Sequence, residues 1–202
     1  MKLKFSRVAL AVMIAAGFSV RAATRDVAMT YRMGAGFAGD VNRTRPMLIT
    51  PALINTSVQS PRLYGDPVLI DASTNSVRGF VVGDTTTPTK IYGVAVRPYP
   101  TQQSSGGMSA TLQTTGTGVA INTTQPLDVL EQGFIMVKVN SGTGSVTKGS
   151  AVYVWFAASS GAHVQGGFEG AATGGSTALI SNARFNGPPD ANGIAELEVW
   201  PA

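Results

Sequence analysis

From Pro46 onward the chain repeats one pattern, short runs of β-branched or aromatic residues each closed off by Gly, Pro, Asn, Asp or Ser. Val68-Leu69-Ile70, Phe80-Val81-Val82, Ile91 to Val96, Phe134 to Val139 and Val152 to Phe156 all follow it. Runs of this kind pack on a pleated surface, and the residues that flank them turn the chain back before a helix could form. The clearest case is the last. Ala195, Leu197 and Val199 alternate with Glu196 and Glu198, which predicts a strand with one buried and one charged face. No segment after residue 46 shows the 3.6-residue apolar period of a helix.

The expectation is therefore an all-β fold, an antiparallel β-barrel or a jelly-roll-like sandwich, carrying an extended N-terminal arm. With 202 residues and 44% of them apolar, the chain can bury one sizeable core. Residues 46–202 are read as a single β domain of two similar halves, about 46–100 and 127–202. A weak internal echo supports this: Gly65-Asp66-Pro67-Val68-Leu69-Ile70 leading to Gly79-Phe80 resembles Gly149-Ser150-Ala151-Val152-Tyr153-Val154 leading to Gly167-Phe168. A chance likeness between two Gly/Val-rich hairpins is the competing account. The polar stretches Thr101 to Gly107 and Thr114 to Gly118 would join the halves.

Charge is divided unevenly. Residues 1–45 hold eight Lys or Arg against two Asp, whereas the rest holds seven bases against nine acids. A basic arm on a near-neutral body argues against a nucleic-acid-binding domain, whose bases would lie on the folded surface. It suits an arm lying on an acidic protein partner. Within that arm, Lys2, Lys4 and Arg7 precede the apolar run Val8 to Val20, the layout of a secretory signal. The run is short for a stable membrane span. Arg21 intrudes where a cleavage site wants small neutral residues. Residues 1–23 thus read as a signal peptide of a secreted or periplasmic protein, as an amphipathic segment packing on a partner, or as lying upstream of a start at Met29 or Met33.

Gly34, Gly36 and Gly39 form a G-x-G-x-x-G string. A dinucleotide site needs those glycines between a strand and a helix. Here Asp40-Val41-Asn42-Arg43-Thr44-Arg45-Pro46 follows, polar and ended by a helix breaker. The string reads as a flexible or turn-forming arm, and no cofactor is expected. Other chemistry is equally thin. His163, the only histidine, sits in a turn between Ser159 and Val164, with no nucleophile motif around any serine. Asp71-Ala72-Ser73-Thr74-Asn75 opens like a calcium loop but has Ser76 and Val82 where glycine and a bidentate Glu belong, so it reads as an Asx-rich turn. Cysteine is absent, which removes thiolate metal sites. Neither an enzyme, a metal nor a small-molecule substrate is expected.

The segment Gly36-Phe37-Ala38-Gly39-Asp40-Val41-Asn42-Arg43, followed by Tyr64-Gly65-Asp66-Pro67-Val68, Tyr92-Gly93-Val94-Ala95-Val96 and Lys148 to Val154, resembles the structural cement, or capsid decoration, proteins of tailed bacteriophages. The resemblance covers roughly residues 33 to 202. It implies a virion protein on the capsid exterior that clamps neighbouring major capsid protein subunits and self-associates as a homodimer or homotrimer. Phe37, Asp40, Arg43 and Arg45 are the partner-binding residues it suggests, Phe37 as an apolar anchor and the two arginines toward capsid carboxylates. An exported bacterial surface or periplasmic binding module is the alternative. A major capsid subunit is disfavoured, because its shell-forming fold resembles an α/β design with a long helix.

Overall fold

The computed structural model describes residues 36–43, 46–84, 89–98 and 120–202. All belong to one compact unit, Gly34–Ala202. Nine strands follow one another: β1 Leu48–Ala52, β2 Pro67–Asp71, β3 Ser76–Arg78, β4 Gly93–Ala95, β5 Leu127–Ser141, β6 Ala151–Trp155, β7 Phe168–Glu169, β8 Thr177–Phe185 and β9 Ile194–Val199. The helical elements among the described residues are single 3-10 turns at Thr143–Ser145 and Gly174–Ser176. The all-β expectation holds.

β5, with 15 residues, organises the molecule. Its second half pairs with β9 on one side and, at Val139 and Ser141, with β7. β7 pairs with β6, β6 with β8, and β8 with β9, so the pairings close into a ring in which only β5–β7 is parallel. Of the two architectures expected, this is the barrel. The first half of β5 pairs with β1 and β4, β2 and β3 continue from β4 as a smaller sheet, and β3 returns to the chain just beyond β1 through one parallel bridge, in which the Val77 N–H donates to the Leu53 carbonyl and the Asn55 N–H to the Val77 carbonyl (both 2.8 Å). The exchange of partners falls at Gly133, whose φ is +135° and where a Cβ would meet the Pro46 carbonyl oxygen at 2.8 Å.

Alternation along these strands sorts residues between two cores. Val94, Val96 and Leu130 face the ring and pack with Ile135, Val137, Val152, Val154, Phe168, Phe185 and Leu197. Ala95, Leu127 and Val129 face the other way and form a smaller core with Val68 and Val77, covered by Ile54, Tyr64 and Tyr92. Asn182 of β8 stitches the regions together. Its buried amide accepts the Ile91 N–H (3.0 Å) and donates to the carbonyls of Ile91 and Trp200 (both 2.9 Å), so none of its polar capacity is wasted.

Local chemistry sets the turns of the smaller sheet. Asp71 accepts the N–H and hydroxyl of Ser73 (2.9 and 2.6 Å) and the Asn55 amide (2.7 Å), while Asn75 takes φ 52°. This is the expected Asx-type turn, between β2 and β3. The Ser73 hydroxyl, then its N–H, hold the Asp71 carboxyl below its usual range. Phe80-Val81-Val82, in contrast, is not a strand. Asp84 accepts the Val81 N–H at 2.8 Å and a two-pronged Arg78 contact at 3.1 Å, folding the run into a turn that buries Phe80 and leaves Val82 63% exposed. Three residues of high β propensity do not outweigh a carboxylate clamp that satisfies the backbone locally. The strand expected over Ile91 to Val96 likewise shortens to Gly93–Ala95. The two echoing segments both contain antiparallel pairs, β2 with β3 and β6 with β7. The stretches expected to join the halves, and residues 1–35, lie outside the described residues.

Candidate functional site

Residues 36–43 form the site that the sequence singles out, and they are folded against the ring. Asp40 N–H donates to the Phe37 carbonyl (3.1 Å), making a turn, and the Asp40 carboxylate accepts the Phe37 N–H (3.4 Å). Beyond the turn the backbone joins β5: Gly39 N–H donates to the Met136 carbonyl (2.7 Å), Met136 N–H to the Asp40 carbonyl (2.9 Å), and Val41 bridges Ile135. On the other side the Gly39 carbonyl accepts the Arg97 N–H (2.9 Å).

The glycine string owes its residue type to crowding at this point. Gly39 has φ +89°, and a Cβ there would come within 2.8 Å of the Tyr64 Cβ. Gly65 presses from the opposite side, where a Cβ would meet the Gly39 nitrogen at 2.8 Å and the Ala38 Cβ at 2.9 Å. Of the two readings of the string, residues 37–40 take the turn-forming one. Gly34 lies outside the described residues. Ala38 then packs on Met136 and Ile194, two side chains on the outer surface of the ring, so that all three are buried.

The four singled-out side chains divide by role. Phe37 stays 40% exposed, its ring backed by the Arg97 guanidinium at 4.8 Å. Asp40 faces the same guanidinium at 3.7 Å. Arg43 meets Glu196 of β9 with two parallel bonds, Nε to Oε1 at 2.9 Å and a terminal nitrogen to Oε2 at 2.7 Å, and lies 4.3 Å over the Phe134 ring. Arg45 lies outside the described residues. The amides of Asn42 and Asn186 complete the shell around Glu196. Burial pushes the Glu196 carboxyl up, but the bonds from Asn186, Asn42 and Arg43 outweigh it and hold the group below its ordinary range. Glu198, two residues on, is held by Arg184 at 2.7 Å. The outward carboxylates of β9 are thus acceptors for basic partners, a role that their alternation alone did not reveal.

His163 sits in the expected turn, where Ser160 and His163 exchange backbone bonds at 3.0 Å. Its ring is tucked against Trp155 (centroids 4.2 Å apart, 18° between planes), and Nδ1 lies 2.6 Å from Glu169, which is 1% exposed. The Ser159 hydroxyl accepts the Gln165 N–H. This pair fastens the loop between β6 and β7. Among the described residues no group of three or more His, Asp or Glu is placed to hold a metal ion.

The profile of a family described as XM1 gp53 minor capsid protein matches residues 27–199. Among solved structures, a chain from the capsid of Myoviridae phage XM1 superposes with a TM-score of 0.56 at 21% identity, over 84% of this chain and 93% of that one. No curated protein matches the chain.

Proposed function

This chain belongs to the XM1 gp53 minor capsid protein family, and from that premise we propose that it binds the outside of the phage shell and cements neighbouring major capsid protein subunits. As a minor capsid protein it is a structural component of the virion, not an enzyme. The finer reading, cementing, is supported by one observation above others. The segment 36–43 is zipped to β5 and clasped between Gly65 and Glu196, yet it leaves the Phe37 ring partly in water on a rigid mount.

A rigid, half-exposed aromatic flanked by arginine is the usual anchor of a protein interface, because little side-chain entropy is lost when it docks. In this reading Phe37 enters a pocket at a seam between shell subunits. Asp40 fixes Arg97 behind it, and Arg43 keeps the segment seated through Glu196 while its exposed edge faces the shell, with Arg45 reaching shell carboxylates beside it. Each contact is modest. Many copies, self-associated as dimers or trimers, multiply it by avidity.

Removing residues 33–46 would test this poorly, since it also uncovers Met136 and Ile194. Phe37→Ser is the cleaner variant, because it leaves the zipper and the Glu196 clasp in place. Occupancy on undecorated capsids, read by quantitative electron microscopy, is expected to fall by about tenfold or more. Wild-type occupancy for the variant would sink the anchor assignment, and density inside the shell would sink the cement reading.

A further inference from the structure

A row of side chains crosses the outer face of the ring. Phe134 of β5 stands opposite Glu198 of β9, Glu198 opposite Arg184 of β8, and Arg184 opposite the exposed Ala151 of β6. Their chain neighbours Ile135, Leu197, Phe185 and Val152 fill the core, so alternation turns this row outward. Trp200, just past β9, is exposed, and the Arg184 guanidinium lies 5.9 Å over its ring. Asn182 pins the Trp200 backbone, accepting its N–H at 3.1 Å and donating to its carbonyl at 2.9 Å. The ring of Trp200 is thus held in water on a fixed mount.

Charge on this face is unevenly engaged. The side chains of Glu196 and Glu198 are only 13% and 25% exposed, against 49% and 55% for Arg43 and Arg184. Both acids are already bonded, Glu196 by Asn42, Asn186 and Arg43, and Glu198 by Arg184. Asp190, in the turn before β9, accepts the N–H groups of Asn192 and Ile194. Arg184 uses only Nε on Glu198. Its terminal nitrogens and the Trp200 indole N–H have no partner among the described residues. Lys148, whose turn is bonded to Phe185 through the Gly149 N–H, adds an exposed ammonium at the same end of β8. The face therefore offers donors around an aromatic ring, which a carboxylate on an apolar stem would match.

We propose that this face is a second foothold on the shell, where an acidic segment of a capsid subunit next to the one that receives Phe37 lays its carboxylate on the terminal nitrogens of Arg184 and its stem on Trp200. The proposal rests on the capsid reading and goes beyond the Phe37 anchor. From segment 36–43 through β5 and β9 to β8 there are three strand spacings, about 14 Å across the sheet. A single contact attaches a protein to a shell. Two contacts on neighbouring subunits let it carry load across the seam.

Arg184→Gln/Glu198→Gln removes the guanidinium without leaving an unpaired acid, and Trp200→Ser removes the ring while keeping the backbone bonds to Asn182. Each is expected to lower occupancy on undecorated capsids by about tenfold, and the first also to flatten the dependence of occupancy on salt. At concentrations that restore full occupancy, wild type is expected to raise the temperature at which capsids rupture, and either variant is expected not to. Lys90→Gln, at an exposed cation just before β4, is the control for unspecific charge. Wild-type occupancy for both variants, or a wild-type rupture temperature at full occupancy, overturns the foothold and leaves the capsid reading standing. An equal loss in Lys90→Gln overturns it too, as does retention on duplex DNA that the variants abolish. Capsids that never take up the wild-type chain remove the capsid reading and the foothold with it.

Discussion

The two halves of β5 belong to one strand, yet they stabilise different neighbourhoods by different means. Around residues 133–141 the strands close on themselves, every register is held from both sides, and the interior is aliphatic and aromatic: Ile135, Val137, Val139, Val152, Val154, Phe168, Phe185 and Leu197. Around residues 127–132 the smaller sheet returns on itself only through one short bridge, Val77 of β3 with Ile54 just beyond β1. Its second core is small, and the turns beside it are held by carboxylates: Asp71 on Ser73 and Asn55, Asp84 on Arg78 and Val81, Asp66 on the N–H groups of Arg62 and Leu63. Closure lets apolar packing do most of the work, because no edge remains to be specified. A small sheet closed by a single bridge has to hold its turns locally, and charged groups do that at the expense of making the region sensitive to pH.

The largest effect is expected where the two regions are joined. Asn182→Leu keeps the volume of a buried side chain but strands the Ile91 N–H and the carbonyls of Ile91 and Trp200. A loss of about 3 kcal/mol or more is expected in urea denaturation. A loss below about 1 kcal/mol would mean that β5 and the bridge from Thr89 to β8 couple the regions without it.

A matched pair of deletions tests the contrast itself. Val137 in the ring and Val68 in the smaller sheet are both fully buried. Val137→Ala is expected to cost about 2–3 kcal/mol and Val68→Ala about 1–2, because a small core closed by one bridge can settle into the space more readily than the ring. Equal losses would show that the smaller core is packed as rigidly as the ring.

The ring was also the more legible half. Strand β6 and the core of β5 announce themselves as unbroken apolar runs, and β9 by strict alternation. β8 does not, because Ser181, Asn182 and Arg184 interrupt it. Asn182 is buried only because three backbone groups from distant segments converge on it, and no local pattern records that. β1 is hidden by Pro51, which an edge strand tolerates and a central one does not. β5 reads as Phe134 to Val139 because Glu131-Gln132-Gly133 looks like a break, whereas the glycine lets the strand run through while changing partners. In the site, the aromatic and basic character of Phe37 and Arg43 was visible. Their own-chain partners were not: Arg97 and Glu196 are brought there by the fold, 153 residues away in the case of Glu196.

The smallest effects carry the sharpest sign. Burial, the leading cause, pushes the Asp66 carboxyl up to about 6, against the pull of Arg62 and the two N–H bonds. A raised folded-state value means that Asp66 contributes stability fully present below pH 4 and lost as pH rises through about 6. Glu196 runs the other way: its lowered value contributes stability present above pH 4.5 and lost as pH falls through the folded-state value. Relative to wild type, Asp66→Asn should therefore gain on the order of 1–2 kcal/mol between pH 4 and 7, whatever constant offset the amide brings. Glu196→Gln should lose ground to wild type as pH rises from the folded-state value toward 4.5 and level off above it, and the loss should appear first as faster hydrogen exchange at Gly39, whose N–H reaches the Met136 carbonyl only while the segment is seated. Slopes of the same sign for the two variants would break the assignment of one carboxylate to the smaller sheet's strain and the other to the arm's attachment on the ring.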